Sequence, residues 1–140
     1  EGRIKSALNA SAAVVNTRKQ LDSAFVSLVK KLQDNKVKLL AGSDCGAFNS
    51  YVYPGISLHQ ELKALVKAGL SPLQALQTSA LNGAKFLKKE NIGSIKENYK
   101  ADLVILNANP LENIDETKNI NLVIKNGKVF KSLEQLKTTP

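Results

Sequence analysis

The sequence predicts an α/β protein, and three observations carry that reading. An apolar run, Val37-Lys-Leu-Leu-Ala41, follows a helical pattern and stops abruptly on Gly42-Ser43-Asp44, as a buried strand of an α/β unit does. Two Ser-x-x-Gln signatures at Ser57 and Ser71 announce helix starts after it. Beyond Gly93 the pattern changes to short apolar strands and an Asn126-Gly127 turn. The chain therefore divides near residue 92, into a helix-strand-helix-helix part (1–92) and a small β-rich part (93–140).

In order along the chain, residues 1–20 hold few large apolar side chains, with Ile4, Leu8 and Val15 on one side of a loosely packed helix. Leu21, Phe25, Leu28, Val29 and Leu32 then recur at helical spacing, and Asn35 stops that helix before a strand at 37–42. Residues 45–56 form a long loop rich in turn formers and carrying Tyr51 and Tyr53. Ser57 is read as the N-cap of the next helix, with Gln60 at its third position and Gly69 at its end. Ser71-Pro72 opens a second helix running towards Leu81, and Asn82 caps a short third one. Leu103–Leu106 and Ile120–Ile124 are strands, and Asn126-Gly127 joins the latter to Lys128-Val-Phe130. A short helix around Leu133 and Leu136 ends the chain.

Composition bounds the function classes. Hydrophobic residues make up 43% and charged residues 23% of 140, which fits a globular domain and not a disordered or membrane-embedded chain. No apolar run reaches the length of a membrane span, and the polar N-terminus lacks a secretory core, so no membrane partner is expected. Cys45 is the single cysteine; it excludes an internal disulfide and fits a reducing, cytoplasmic setting. The net charge of +8 raises a nucleic-acid hypothesis, but the lysines are spread along the chain and only seven aromatics accompany them. A solvated basic surface is expected instead, with no nucleic-acid partner.

One parallel strand cannot satisfy its own backbone, so the sheet must be completed by further chain. With Glu1 in place of an initiating Met, the expectation is that an N-terminal portion of a larger protein precedes these residues. Asp44 is a carboxylate at the carboxyl end of a strand, where α/β enzymes place chemistry; a Gly-Ser-Asp turn is equally at home as a simple turn or helix cap.

An ordered set of short pieces goes further. They are Leu40-Ala-Gly-Ser-Asp44, Ser57-Leu-His-Gln-Glu-Leu62, Leu65-Val-Lys-Ala-Gly-Leu-Ser-Pro72 with Ala75-Leu76, Asn82-Gly-Ala-Lys85, Gly93-Ser-Ile95, Ala101-Asp-Leu-Val-Ile-Leu106, Asn109-Pro-Leu111 and Val123-Ile-Lys-Asn-Gly-Lys-Val129. In that order and spacing, over about residues 21–131, the chain resembles the C-terminal part of the amidohydrolase superfamily, closest to its imidazolonepropionase-like and prolidase-like metal-dependent hydrolases.

The resemblance implies a (β/α)8 TIM barrel carrying a small β-sandwich. Residues 37–43 would be its last barrel strand, 1–92 the end of the catalytic domain and 93–140 the C-terminal share of the sandwich. It implies that Asp44 touches the metal, takes a proton from the metal-bound water and passes it to the leaving nitrogen of a cyclic amide or dipeptide-like substrate. Zinc is the implied metal, one or two ions, with its other ligands on earlier strands absent from this sequence; the 140 residues alone should be inactive. His59 is expected to pack or hydrogen-bond locally, with a role behind Asp44 as the lesser reading; direct ligation is not expected, because the family pattern places its ligand histidines elsewhere. Tyr51 and Tyr53 line the loop where substrate would pass, or only anchor it. Cys45 is read as a buried small residue, and Asp102 as a structural carboxylate bonding backbone at the start of its strand. Ala80, Gly83 and Asn98 depart from the family's usual threonine, proline and glycine, which leaves the subfamily and substrate open. The expected partners are a small-molecule substrate, the N-terminal part of the barrel and, in a homo-oligomer, a second copy. Two alternatives stand beside this reading: a non-catalytic assembly fragment, and a basic nucleic-acid-binding domain.

Overall fold

A computed structural model of the chain describes Lys5, residues 8–46 and residues 52–132. Among them lie four α-helices, α1 (Ala12–Asp34), α2 (Ile56–Lys67), α3 (Pro72–Ser79) and α4 (Leu81–Phe86). A three-stranded sheet follows, β1 (Leu103–Leu106), β2 (Ile120–Lys125) and β3 (Lys128–Ser132), with a 3-10 helix (Ile114–Lys118) between its first two strands. The fold is α/β with a small antiparallel sheet in sequential order β1-β2-β3.

Helix α1 starts at Ala12, nine residues before the apolar stripe sharpens, because Ser11 caps it by accepting a hydrogen bond from the Val14 amide at 3.4 Å. The alanines and long straight side chains of its first turns are good helix formers and need no buried face. That face stays largely open: Phe25 is 62% exposed, and Leu21 and Leu28 are exposed too, while Val29 packs against the core. Ile4 and the Leu133–Leu136 tail lie outside the described residues.

Helices α1, α2 and α4 end the same way. In each, the amide two residues past the cap reaches back to the third-last carbonyl: Val37 to Leu32 at 3.0 Å, Leu70 to Leu65 at 3.2 Å and Lys89 to Ala84 at 2.9 Å. The residue before it takes a left-handed backbone, which is Gly69 after α2 but Lys36 (φ 60°) and Lys88 (φ 53°) after the others. Gly69 closes α2 as the sequence predicts, and Asn35 is the cap of α1.

Two cap assignments are corrected. Helix α2 begins two residues early, at Ile56, behind Gly55 (φ 85°); Ser57 lies inside it and donates its hydroxyl to the Tyr53 carbonyl at 2.5 Å, so it does not cap. Asn82 lies within α4, whose cap position is Ala80, and its side-chain amide donates to the Leu39 carbonyl at 2.9 Å. The box at Ser71 forms as predicted: Ser71 accepts from the Gln74 amide at 3.2 Å, and Gln74 accepts from the Ser71 amide at 2.8 Å.

The strand expected over 37–42 does not form. Among the described residues no strand runs beside it, and a ladder needs a neighbour to bond. The segment is held instead from the helix side, by the Asn82 bond and by the Ala41 amide to the Thr78 carbonyl at 3.3 Å. Leu39 and Ala41 pack into the core; Leu40, between them, is 43% exposed.

The core is Leu62 and Leu65 of α2, Leu70, Ala75 of α3 and Ile114 of the 3-10 helix. The 3-10 helix had no counterpart in the sequence reading; Asn113 caps it by accepting from the Asp115 amide at 3.1 Å. β1 pairs with β2 from Leu103↔Ile124 to Leu106↔Ile120, and β2 with β3 from Leu122↔Ser132 to Lys125↔Lys128. Asn126 (φ 49°) and Gly127 (φ 74°) make the hairpin turn, both with the positive φ that a type I′ turn demands. Asp102 is structural, as read: its carboxylate accepts the Asn126 amide at 2.7 Å and ties the turn to the start of β1. Asn98 takes φ 65° in the turn before it.

Two substitutions test these constraints. Lys36→Gly removes a side chain from a left-handed backbone and should stabilise the chain by about 0.5–1 kcal/mol, read as a raised urea midpoint. Asn82→Ala leaves the Leu39 carbonyl without its partner; a loss of about 1–2 kcal/mol is expected, with faster hydrogen exchange at the Ala41 amide. Unchanged exchange there would show that Asn82 does not hold the segment.

Candidate functional site

Asp44 sits at the far end of the segment that Asn82 and Thr78 hold. Thr78 is buried at 2% exposure, its hydroxyl donating to the Ala75 carbonyl at 2.6 Å, so the anchor on α3 is firm. Leu39 and Ala41 are drawn into the core, which fixes the direction in which the chain emerges at Asp44. Asp44 itself is exposed and takes a left-handed backbone, φ 48°, a conformation that aspartate tolerates better than most residues. The result is a solvent-reachable carboxylate at the end of an anchored segment. Such a group can take up and release a proton, or offer oxygen to a metal.

Its neighbour Cys45 is an exposed free thiol, which corrects the expectation of a buried small residue: the chain has already left the core at Asp44. Tyr51 lies outside the described residues. Tyr53 is exposed and its carbonyl receives both the amide of Ser57, at 3.0 Å, and the hydroxyl of that residue. The backbone of the loop is thereby fastened to the first turn of α2.

His59, also in that first turn, is half-buried and faces the 3-10 helix. Its Nδ1 lies 3.0 Å from the Thr117 hydroxyl, which donates to the Ile114 carbonyl at 2.9 Å. A hydroxyl has one proton, so Thr117 accepts here and the His59 proton is assigned to Nδ1. Burial, and then the nearby Lys118 ammonium, lower the His59 pKa and favour the neutral ring. One turn on, Lys63 pairs with Asp115, which also pairs with Lys118 at 2.9 Å. Hydrogen bonds from Lys63 and Lys118 hold the Asp115 carboxyl at a pKa of about 2.

Sequence reasoning singled out His59 but missed its partner Thr117, the Lys63–Asp115 pair, and the work of Asn82. No local pattern marks a contact between residues 58 positions apart. Asn82 had a signal: it opens one of the pieces that carry the family resemblance.

The residues present do not suffice for a metal. Among the described residues no group of three or more His, Cys, Asp or Glu side chains could hold one, whereas a protein zinc site takes at least three protein ligands. Asp44 supplies one.

Comparison with known proteins gives the frame for this carboxylate. The family model described as "Amidohydrolase family" matches residues 3–130. A 5-methylthioadenosine/S-adenosylhomocysteine deaminase of Dictyoglomus turgidum is 32% identical over 133 residues, covering 80% of this chain and 30% of that protein. The crystal structure of a Xaa-Pro dipeptidase with methionine bound in its active site superposes with a TM-score of 0.72 at 25% identity, covering 91% of this chain and 31% of that one. The structure of Aspergillus niger ochratoxinase superposes with a TM-score of 0.71 at 26% identity, covering 93% and 30%. The chain thus spans about 30% of the length of this deaminase and of these two solved chains. With the family model extending over nearly the whole chain, from before α1 into β3, the chain belongs to the amidohydrolase family.

Proposed function

We propose that the chain is the C-terminal segment of a metal-dependent hydrolase that cleaves a C–N bond, and that Asp44 is its proton-transfer residue. The observation that carries the reading is the exposed Asp44 carboxylate at the end of an anchored segment, within the residues the family model matches. In this role an Asp44 oxygen takes the proton of the water that attacks the substrate carbon. As the new C–O bond forms and the C–N bond breaks, the same oxygen delivers that proton to the departing nitrogen. A divalent metal, zinc in this reading, would acidify that water; its remaining ligands would come from further chain, with Asp44 contributing one contact.

The same reading makes residues 37–43 the last strand of a (β/α)8 barrel and the three-stranded sheet part of a β-sandwich. Apolar side chains open to solvent on both parts support it: Leu40 and Phe25 on the first, Val104 and Phe130 on the second. The relatives, about three times as long, have the chain to cover such surfaces. The substrate class favoured is a small amide or dipeptide-like molecule, in keeping with the Xaa-Pro dipeptidase likeness. The setting favoured is the cytoplasm, where the exposed Cys45 thiol stays reduced.

Two outcomes are expected. In the whole enzyme, Asp44→Asn should lower kcat on its C–N substrate by about 10²–10⁴-fold with an unchanged circular dichroism spectrum, because the side chain is exposed. A variant retaining full kcat would remove Asp44 from the chemistry. The 140 residues alone, supplied with zinc and assayed on Xaa-Pro dipeptides and cyclic amides, should show no turnover; measurable hydrolysis would refute the partial-barrel reading.

A further inference from the structure

The loop after α4 builds a second feature that the hydrolase reading does not use. Helix α4 ends at Phe86, and Lys88 (φ 53°) turns the chain back, closed by Lys88 to Lys85 at 3.1 Å and Lys89 to Ala84 at 2.9 Å. Gly93 (φ 81°) then lies directly on the α3–α4 junction; a Cβ there would stand 2.7 Å from the Ala84 methyl and 2.9 Å from the Ala80 carbonyl. Only glycine allows that approach. The Lys100 amide closes the loop on the Asn91 carbonyl at 2.8 Å. These constraints bring Lys96 and Tyr99 round to face the end of α4, with the Lys96 ammonium 5.8 Å from the centre of the Tyr99 ring.

The concavity between them is open to solvent and measures about 600 Å³. Lys85, Lys88, Lys89 and Lys96 line it together, over a floor that includes the half-buried Leu81 and Ile92. Among the described residues none of the four lysines forms an ion pair; the three ion pairs there use Lys30, Lys63 and Lys118. Glu90 shares the concavity without pairing with any of them. Lysines in the last turn of a helix complement its dipole, which explains Lys85 and its neighbours alone. It does not explain Lys96, which the loop brings in from outside the helix. The left-handed backbone at Lys88 is not part of the case, since Lys36 ends α1 in the same way.

We infer that this concavity is a binding site for an oligophosphate group, gripped by Lys85, Lys88, Lys89 and Lys96, with any organic body of the ligand resting on Leu81 and Ile92. Four ammonium groups against one carboxylate leave an excess positive charge that a single carboxylate ligand would not neutralise, whereas a di- or triphosphate would. Lysine binds phosphate as a point charge with rotatable donors, so no fixed fork geometry is required.

The test titrates the full chain with tripolyphosphate, ATP and adenosine at low salt, where screening is weak. Saturable single-site binding of both phosphates, and none of adenosine, is expected. Equal affinities would support free oligophosphate as the ligand; tighter ATP would support an organic phosphate seated on the apolar floor. Lys88→Gln combined with Lys96→Gln should weaken binding about tenfold or more, while Lys19→Gln with Lys31→Gln on α1 changes it less than about twofold. Glu90→Gln, which removes the opposing carboxylate, should tighten binding about threefold. No saturation, equal weakening by the α1 pair, or adenosine binding as tightly as ATP would overturn the assignment.

Discussion

The burial of one face of α2 is the constraint on which the rest depends. Leu62 and Leu65 on that face meet Leu70, Ala75 of α3 and Ile114 of the 3-10 helix, and Leu39 and Ala41 pack on the same cluster. A leucine taken fully out of water stabilises by about 1.5–3 kcal/mol, whereas a solvent-screened ion pair such as Lys63 with Asp115 adds little. The leucines therefore hold the elements together. The polar contacts around them, His59 with Thr117 and Lys63 with Asp115, set how the 3-10 helix is turned against α2. Through this one face the approach to Asp44, the loop before α2 and the connection between β1 and β2 are all referred to a common frame.

What the sequence made legible was local. The box at Ser71 and the turn at Asn126-Gly127 are closed by residues within four positions, and both form where the pattern puts them. The contrast between Ser71 and Ser57 shows the limit of the pattern. Both begin a Ser-x-x-Gln run, but Pro72 fixes the backbone of the first helical residue of α3 and so fixes where that helix starts. No such residue follows Ser57, and Gly55 before it turns with φ 85°, so the helix winds two residues further back and its serine becomes an interior residue. The same short motif gives two outcomes because its flanks differ in stiffness.

Non-local contacts were hidden for a different reason. The apolar pattern at 37–41 correctly marked residues that seek burial, and Leu39 and Ala41 find it. Whether such a run becomes a strand depends on an adjacent backbone, which a pattern of side chains does not encode. Here one partly buried carbonyl is met by a side chain, that of Asn82, 43 residues away. The position of Asp44 was legible as the end of an apolar run, and its proposed role entered through the ordered family pieces; its anchors on α3 and α4 were not legible. Cys45 shows the same divide: a small residue beside a buried run reads as buried, but the chain turns out of the core one residue too soon.

Charge was the least legible property, because composition gives a sum and function depends on a distribution. The net charge of +8 suggested a basic surface spread evenly along the chain. Folding partitions it. Lys63 and Lys118 converge on Asp115 and hold its carboxyl well below the usual range, so these charges serve the contact between α2 and the 3-10 helix. Lys85, Lys88, Lys89 and Lys96 meet instead across a loop that Gly93 locks against Ala80 and Ala84, with no carboxylate paired to them among the described residues. Two groups of lysines, indistinguishable in a count, thus come to differ in kind: in one the countercharge is built into the fold, and in the other it is left for a ligand to bring.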